Sequence, residues 1–276
     1  MHPTNCLNCG HPLQDDGKFC SQCGQKADTH RLSIGHFAHE TFHAFTHTDK
    51  SIFHLLVGLA MKPGVVAREY IVGKRKKYFN PYTFFILLMG AYLLTAQLFG
   101  RVDEPRPVPE AIQRIPDPAV REKASARFDR GQKIGHFYSK HANVLAMVAI
   151  PMIAFVFWLF YIRRPYNYAE HLTANMMFVT FANLVFALTV FPLQNLLKGT
   201  AWGPWITLVG LLIQVTYFSW AYSQFLQVRT AGGRTKTFFV SLLSVFVWSV
   251  FSLVVMAIYV YQSWDFYKFF GQMGRR

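Results

Sequence analysis

LTANMMFVTFANLVFALTVFP, residues 172–192, contains no Asp, Glu, Lys or Arg. Coiled into a helix at 1.5 Å per residue, it reaches across the roughly 30 Å hydrocarbon core of a bilayer. A helix on the surface of a soluble domain shows polar residues every three or four positions, and this run does not. Four other runs share its length and lack of charge: Pro81–Gly100, Ala142–Ile162, Trp205–Val228 and Phe238–Tyr261. The 276-residue chain is 52% apolar, 17% aromatic and only 15% charged, so it has too few charges to coat a soluble fold. Tyr78, Tyr82, Tyr161, Tyr166, Trp202, Trp205, Tyr261 and Trp264 stand at the ends of the runs, where an interfacial aromatic belt belongs. The expectation is an all-α polytopic membrane protein with five transmembrane helices.

The basic residues orient it. Lys74-Arg75-Lys76-Lys77 precedes the first run, and Arg163-Arg164 and Arg229, Arg234 and Lys236 fall in later loops on the same side. The opposite side carries Lys198, Lys268, Arg275, Arg276 and the loop 101–141, whose nine basic residues offset six acidic ones. Counting Lys and Arg alone leaves the two sides nearly level. The N-terminus decides between them.

Two cysteine knuckles open the chain, Cys6-x2-Cys9-Gly10 and Cys20-x2-Cys23-Gly24, and they use all four cysteines. Thiolates two residues apart clasp one tetrahedral Zn2+, and a following glycine lets the backbone turn back toward the sulfurs. The ten intervening residues suffice for a small hairpin turning at Gly17. A ribbon this short buries almost no core, so the metal must supply most of its folding free energy, on the order of 10 kcal/mol. Two disulfides would need an oxidising compartment; paired CxxC spacing favours zinc in a reducing cytosol. The chain is therefore expected in the bacterial inner membrane, N-terminus cytosolic and C-terminus periplasmic. The net charge of +14 then reflects topology and attraction to anionic headgroups, with no soluble basic domain to present to nucleic acid. Three regions follow: a zinc ribbon over 1–26, a cytosolic segment of amphipathic and re-entrant helices with a basic juxtamembrane stretch over 27–80, and a five-span membrane domain over 81–276 with a periplasmic loop at 101–141.

Residues 32–47 read as an amphipathic helix. His36, His39, Glu40, His43 and His47 fall within about 100° of arc, and Ile34, Phe37, Ala38, Thr41, Phe42 and Phe45 lie opposite. His39-Glu40-Thr41-Phe42-His43 matches H-E-x-x-H, which on a helix puts two imidazoles on one face for Zn2+ and a glutamate beside the metal-bound water. Glu40 is thus the one candidate catalytic residue. His39 and His43, with His36, His47, Glu170 and His171, are the candidates for a second metal; Asp49, His54 and Glu69 are further possible third ligands. A polar face at the membrane interface explains the same histidines without catalysis, and that reading is preferred. Ile52–Met61 is too short to span and ends at Lys62-Pro63-Gly64, so it reads as re-entrant or interfacial, with a further short helix over Val65–Val72. Tyr168-Ala169-Glu170-His171 puts an ionisable pair at the mouth of the third run, a functional candidate by position. Ser219/Ser223 and Ser241/Ser244 have the spacing of close interhelical packing.

Some functions are excluded or disfavoured. There is no Gly-x4-Gly-Lys-Ser/Thr phosphate loop and no Gly-x-Ser-x-Gly elbow. The absence of charge inside the runs argues against ion-coupled transport. From the ribbon to the first run the chain resembles a family of uncharacterised bacterial membrane proteins, the domain of unknown function numbered 3667. The resemblance rests on the CxxC…CxxCGQ ribbon, H-E-x-x-H followed by Asp49-Lys50, Lys62-Pro63-Gly64, Arg68-Glu69-Tyr70, Gly73-Lys74-Arg75 and Pro81. It implies a ribbon-bearing polytopic membrane protein and no particular activity. Three functions are then in play. The preferred one is a non-enzymatic protein whose ribbon and histidine helix dock a cytosolic partner or anionic lipid. The others are a zinc-dependent membrane hydrolase built on His39, Glu40 and His43, and a small-solute or lipid transporter.

Overall fold

In a computed structural model, the structure describes residues 4–14, 17–27, 29, 31, 51–98, 107–197, 200 and 202–262. The predicted amphipathic helix over 32–47 lies outside them. Among the described residues regular structure is helical: α1 Ser51–Met61, α2 Pro63–Val72, α3 Pro81–Leu98, α4 Glu110–Gln113, α5 Pro118–Lys140, α6 Ala142–Phe160, α7 Tyr168–Leu196, α8 Gly203–Phe225 and α9 Ala231–Tyr261. Two isolated antiparallel bridges, Asn5 with Pro12 and Phe19 with Lys26, are the only β pairing described.

Among the described residues, three helices are long and apolar enough to cross a membrane: Tyr168–Gln194 within α7, Trp205–Phe225 within α8, and α9. The first two predicted spans form helices of 18 and 19 residues, α3 and α6. Boundaries move where capping groups outweigh hydropathy. The third run starts a turn earlier than its apolar stretch because Asn167 caps it: the Glu170 N–H donates to Asn167 Oδ1 at 2.9 Å, and the Asn167 N–H donates to the Glu170 carboxylate at 2.7 Å. This is a reciprocal capping box. The same helix runs through Pro192 to Leu196, past its expected end. The fifth begins at Ala231 rather than Phe238, because the Thr230 hydroxyl accepts the Gly233 N–H at 3.2 Å. Asp117 likewise starts α5 by accepting from Ala119 and Val120.

Side-chain contacts fix how the helices run. Phe157 near the end of α6 stacks on Tyr222 near the end of α8, with ring centroids 3.5 Å apart. Tyr161, just past α6, hydrogen-bonds Thr237 at the start of α9 at 2.9 Å. Tyr168 and Asn175 at the start of α7 donate to the carbonyls of Pro151 and Ile150 in α6. One end of the bundle therefore gathers the close of α6 and α8 with the opening of α7 and α9. At the far end α5 flanks α9: Arg130 donates to the Val260 carbonyl, and the Arg127 guanidinium lies 4.9 Å from the Tyr261 ring.

The centre is α7, which packs on α2, α3, α6 and α8 and buries Ala174, Met177, Phe178 and Ala182. By contrast α9 leaves Phe239, Phe246 and Leu253 more than half exposed, an apolar surface far too long for a water-facing helix and suited to lipid. Short α2 lies across the shared end of the bundle. Gly64 lets it press directly on α8, since a Cβ there would meet the Phe225 nitrogen, the Ala221 carbonyl and, at 2.5 Å, Gln224 Cβ.

Candidate metal centre and its docking on the membrane domain

The two knuckles are copies of one small structure. Cys6 and Cys20 each donate a backbone N–H five residues ahead, to His11 and Gln25, and each accepts one from the glycine four residues ahead, Gly10 or Gly24. Both glycines sit in the left-handed region, at φ 76 and φ 70, where a side chain would add strain. The Gly17 N–H donates to Gln14, at the turn expected between the knuckles. A 14-residue offset repeat was thus present in the sequence, hidden by sharing only Cys-x2-Cys-Gly.

Folding the copies together brings four sulfurs into a cluster, every pair within 4.8 Å. Cys6 and Cys23 approach to 3.6 Å, and Cys9 and Cys20 to 3.7 Å. Ligands about 2.3 Å from a tetrahedral Zn2+ stand roughly 3.8 Å from one another, whereas a disulfide needs about 2 Å. All four thiols are free. Without a cation the crowded sulfurs drive the Cys9 and Cys23 thiols in opposite directions. Cys9 is pushed up to about 12: the His11 backbone N–H lowers it, but burial and the neighbouring Cys23, Cys20 and Cys6 raise it more. Burial raises Cys23 too, but the Gln25 N–H, the Asn8 side chain and the Cys9 and Cys6 thiols bring it down to about 6. A divalent ion at the centre would favour the thiolate at every position. The donor set, spacing and charge are compatible with Zn2+.

The knuckles are not tethered loosely. Gln25 is buried, and its Oε1 accepts the Lys76 backbone N–H at 2.8 Å. Gly73, at φ 119, closes α2 in a left-handed cap, and a Cβ there would meet the Thr29 hydroxyl at 2.7 Å and Leu7 Cδ1 at 2.9 Å. Farther along, Arg31 forks onto Glu170, with Nε 2.7 Å from Oε1 and Nη2 2.9 Å from Oε2, and donates to the Pro165 carbonyl. The ribbon thus docks on the loop after α2, and the chain beyond it docks on the mouth of α7. Gln25 was legible only as part of the CxxCGQ motif and Arg31 not at all, because their partners lie 51 and 139 positions away.

That loop is built around Glu69. Lys77 Nζ and Tyr78 Oη reach its Oε2 at 2.7 and 2.6 Å, and Lys74 Nζ its Oε1 at 3.1 Å. Two charges of the sequence-evident basic cluster are therefore paired within the protein. Burial would raise the Glu69 carboxyl, but the donors Lys77, Tyr78 and Lys74 outweigh it and hold the group down at about 2. Its contribution to stability is whole above the ordinary carboxylate range near 4.5 and is lost as pH falls through about 2. Amide exchange of Lys74–Tyr78 is expected to accelerate, beyond its intrinsic pH dependence, only below about pH 4, and to be fast already at pH 7 in Glu69→Gln. Equal protection of the variant and the parent at pH 7 would show that the carboxylate does not hold the loop.

The candidates for a second metal fare differently. His36, His39, Glu40, His43, His47 and Asp49 lie outside the described residues. Glu170 is engaged by Arg31 and the Asn167 N–H, and Glu69 by three donors. His54 lies exposed on α1. His171 is fully buried among Tyr166, Tyr222 and Phe225, and neither ring nitrogen has a hydrogen-bond partner among the described residues. Among the described residues, the four cysteines form the only grouping of three or more potential ligands.

Residues 49–93 match the profile of a family described as a protein of unknown function, DUF3667. The resemblance noted in the sequence holds over this segment, which spans α1, α2, the Glu69 loop and the first part of α3. No curated protein matches the chain, and no solved structure does.

Proposed function

We propose that this chain is a multi-pass protein of the bacterial inner membrane that crosses five times, through α3, α6, α7, α8 and α9, with its N-terminus cytosolic and C-terminus periplasmic. Its knuckles bind one structural Zn2+ through Cys6, Cys9, Cys20 and Cys23. The metal-held ribbon is a docking module rather than a catalytic one, seated on the cytosolic mouth of the bundle to receive a cytosolic protein or anionic lipid. The observation that carries this reading is the double anchorage, Gln25 on Lys76 and Arg31 on Glu170. It couples the presence of metal to the juxtamembrane loop and to the mouth of α7. Phe19, 61% exposed beside Cys20, offers an apolar contact on the ribbon for such a partner.

The alternation of helix ends supports the topology, because α6 and α8 close where α7 and α9 open. A reporter fused after Arg276 is expected to score as periplasmic, and one inserted between Arg229 and Lys236 as cytosolic. The same signal from both positions would overturn the five-crossing count. Metal content separates docking from hydrolysis: the docking module predicts one zinc per chain, and an H-E-x-x-H hydrolase a second one that survives cysteine replacement and is lost on replacing His39 and His43.

A further inference from the structure

A cationic cleft is built from α2, α8, the loop between α8 and α9, and the first turn of α9. It has a volume of about 550 Å3 and takes guanidinium groups from Arg68, Arg229 and Arg234. Ser219, Ser223 and Gln227 also line it, and no acidic residue does. The loops 161–167 and 226–230 and the first turns of α9 up to Thr237, all at this end of the bundle, contain no Asp or Glu. Three guanidinium side chains in a lining without a carboxylate form a surface complementary to an anion.

The backbone of the cleft wall is held in an uncommon state. Helix α8 ends in a left-handed turn in which the Val228 N–H reaches back to the Ser223 carbonyl and the Gln227 N–H to the Gln224 carbonyl. The residue in the left-handed position is Gln227, at φ 54, where glycine is the usual occupant. Ser241 and Ser244 of α9 turn onto their own helix's carbonyls, whereas Ser219 and Ser223 line the cleft.

The cleft also has an apolar extension. Trp220 and Thr216 also line it, and Ile213 and Val209 continue their face of α8 at helical spacing. Ile213 and Val209 are more than half exposed and Trp220 is 40% exposed. From Trp220 to Val209 this track is about 16 Å long, a length that suits an acyl chain.

We propose that the cleft is a binding site for an anionic glycerophospholipid, with the phosphodiester held by Arg68, Arg229 and Arg234 and one acyl chain lying along Trp220, Thr216, Ile213 and Val209. The inference deepens the docking function and rests on the topology above, which puts the loop between α8 and α9 in the inner headgroup layer. It also moves lipid recognition away from Lys74 and Lys77, which Glu69 already pairs.

The test uses the full chain purified in a neutral detergent. Bound lipid is counted by native mass spectrometry during titration with phosphatidylglycerol, phosphatidylcholine or inorganic phosphate. This needs no membrane orientation, so a wrong topology and a wrong site fail separately. Phosphatidylglycerol is expected to occupy one site in preference to phosphatidylcholine, and R229Q/R234Q to weaken it by roughly tenfold or more. The charge-matched R121Q/K123Q, on α5, is expected to leave binding unchanged. Equal binding of the two lipids, or equal loss in both variants, would overturn the site. Displacement of phosphatidylglycerol by inorganic phosphate alone would make the ligand a free anion and overturn the lipid assignment. If R229Q/R234Q fails to fold, R68Q and the comparison of the two lipids on the parent chain decide the matter.

Discussion

Gly64→Ala is expected to destabilise the folded protein by about 3 kcal/mol, at the upper end of what overpacking a tight contact costs. The clash is with backbone: an added Cβ would meet the Phe225 nitrogen and the Ala221 carbonyl, with Gln224 Cβ at 2.5 Å. A crowded side chain rotates away, but the end of a long helix does not, so α2 would have to lift off α8. That lift opens the contact made by the Gly64 N–H with Gln224 Oε1 and strips cover from Val66, Ala67 and Tyr70, all buried. Gly64→Leu is expected to prevent α2 from docking. Gly90→Ala is the internal control, because a Cβ at Gly90 meets nothing within 4 Å and alanine favours a helix interior by about 1 kcal/mol over glycine. Thermal unfolding in detergent should move the two variants in opposite directions. An unchanged midpoint for Gly64→Ala would show that α2 and α8 are not in contact.

Gly64 also marks the boundary of what could be read from the chain. Helix-forming runs, their number and their lack of charge depend on residues close in sequence, and the predicted spans appear as helices α3, α6, α7, α8 and α9. Knuckle chemistry was equally local, since Cys-x2-Cys-Gly specifies its own turn. Lys62-Pro63-Gly64 looked like a helix stop, and α1 does end at Met61, but Pro63 also opens α2 and Gly64 serves a partner 160 positions away. Lys74–Lys77 looked like a headgroup-facing cluster, and geometry gives two of its charges to Glu69. Glu170 looked like a spare ligand, and Arg31 occupies it. In each case the local pattern identified a reactive residue type, while the fold decided what it faced. Ends of helices shifted for a related reason: Asn167 and Thr230 add backbone satisfaction that hydropathy does not count.

Replacing Cys6 by Ser is expected to release the zinc and unfold residues 4–27 while leaving the helices of the membrane domain in place. Cys6 is 4% exposed and Cys20 2%, yet among the described residues of the ribbon only Ala27 joins these two in the buried apolar core. Two bridges and a handful of turn hydrogen bonds are far too little to order more than twenty residues against their conformational entropy. On the proposed zinc assignment the ion supplies the balance, on the order of 10 kcal/mol at neutral pH. A serine hydroxyl is a poor substitute for thiolate, and three ligands cannot keep the site closed. The consequence reaches beyond the ribbon, because Gln25 and the Thr29–Leu7 contact with Gly73 leave the loop after α2 together. Limited proteolysis should cut the variant within residues 4–27, and amide exchange at Lys76 should rise to the rate seen when the parent is treated with a chelator. Metal analysis of the full chain should give one zinc before the change and none after it, provided the histidine segment binds no metal of its own. The decisive variant is Cys9→Ser/Cys20→Ser, which removes one ligand from each knuckle. Full zinc retained by that variant would place the metal elsewhere and would leave the packing of four sulfurs within 4.8 Å without a function.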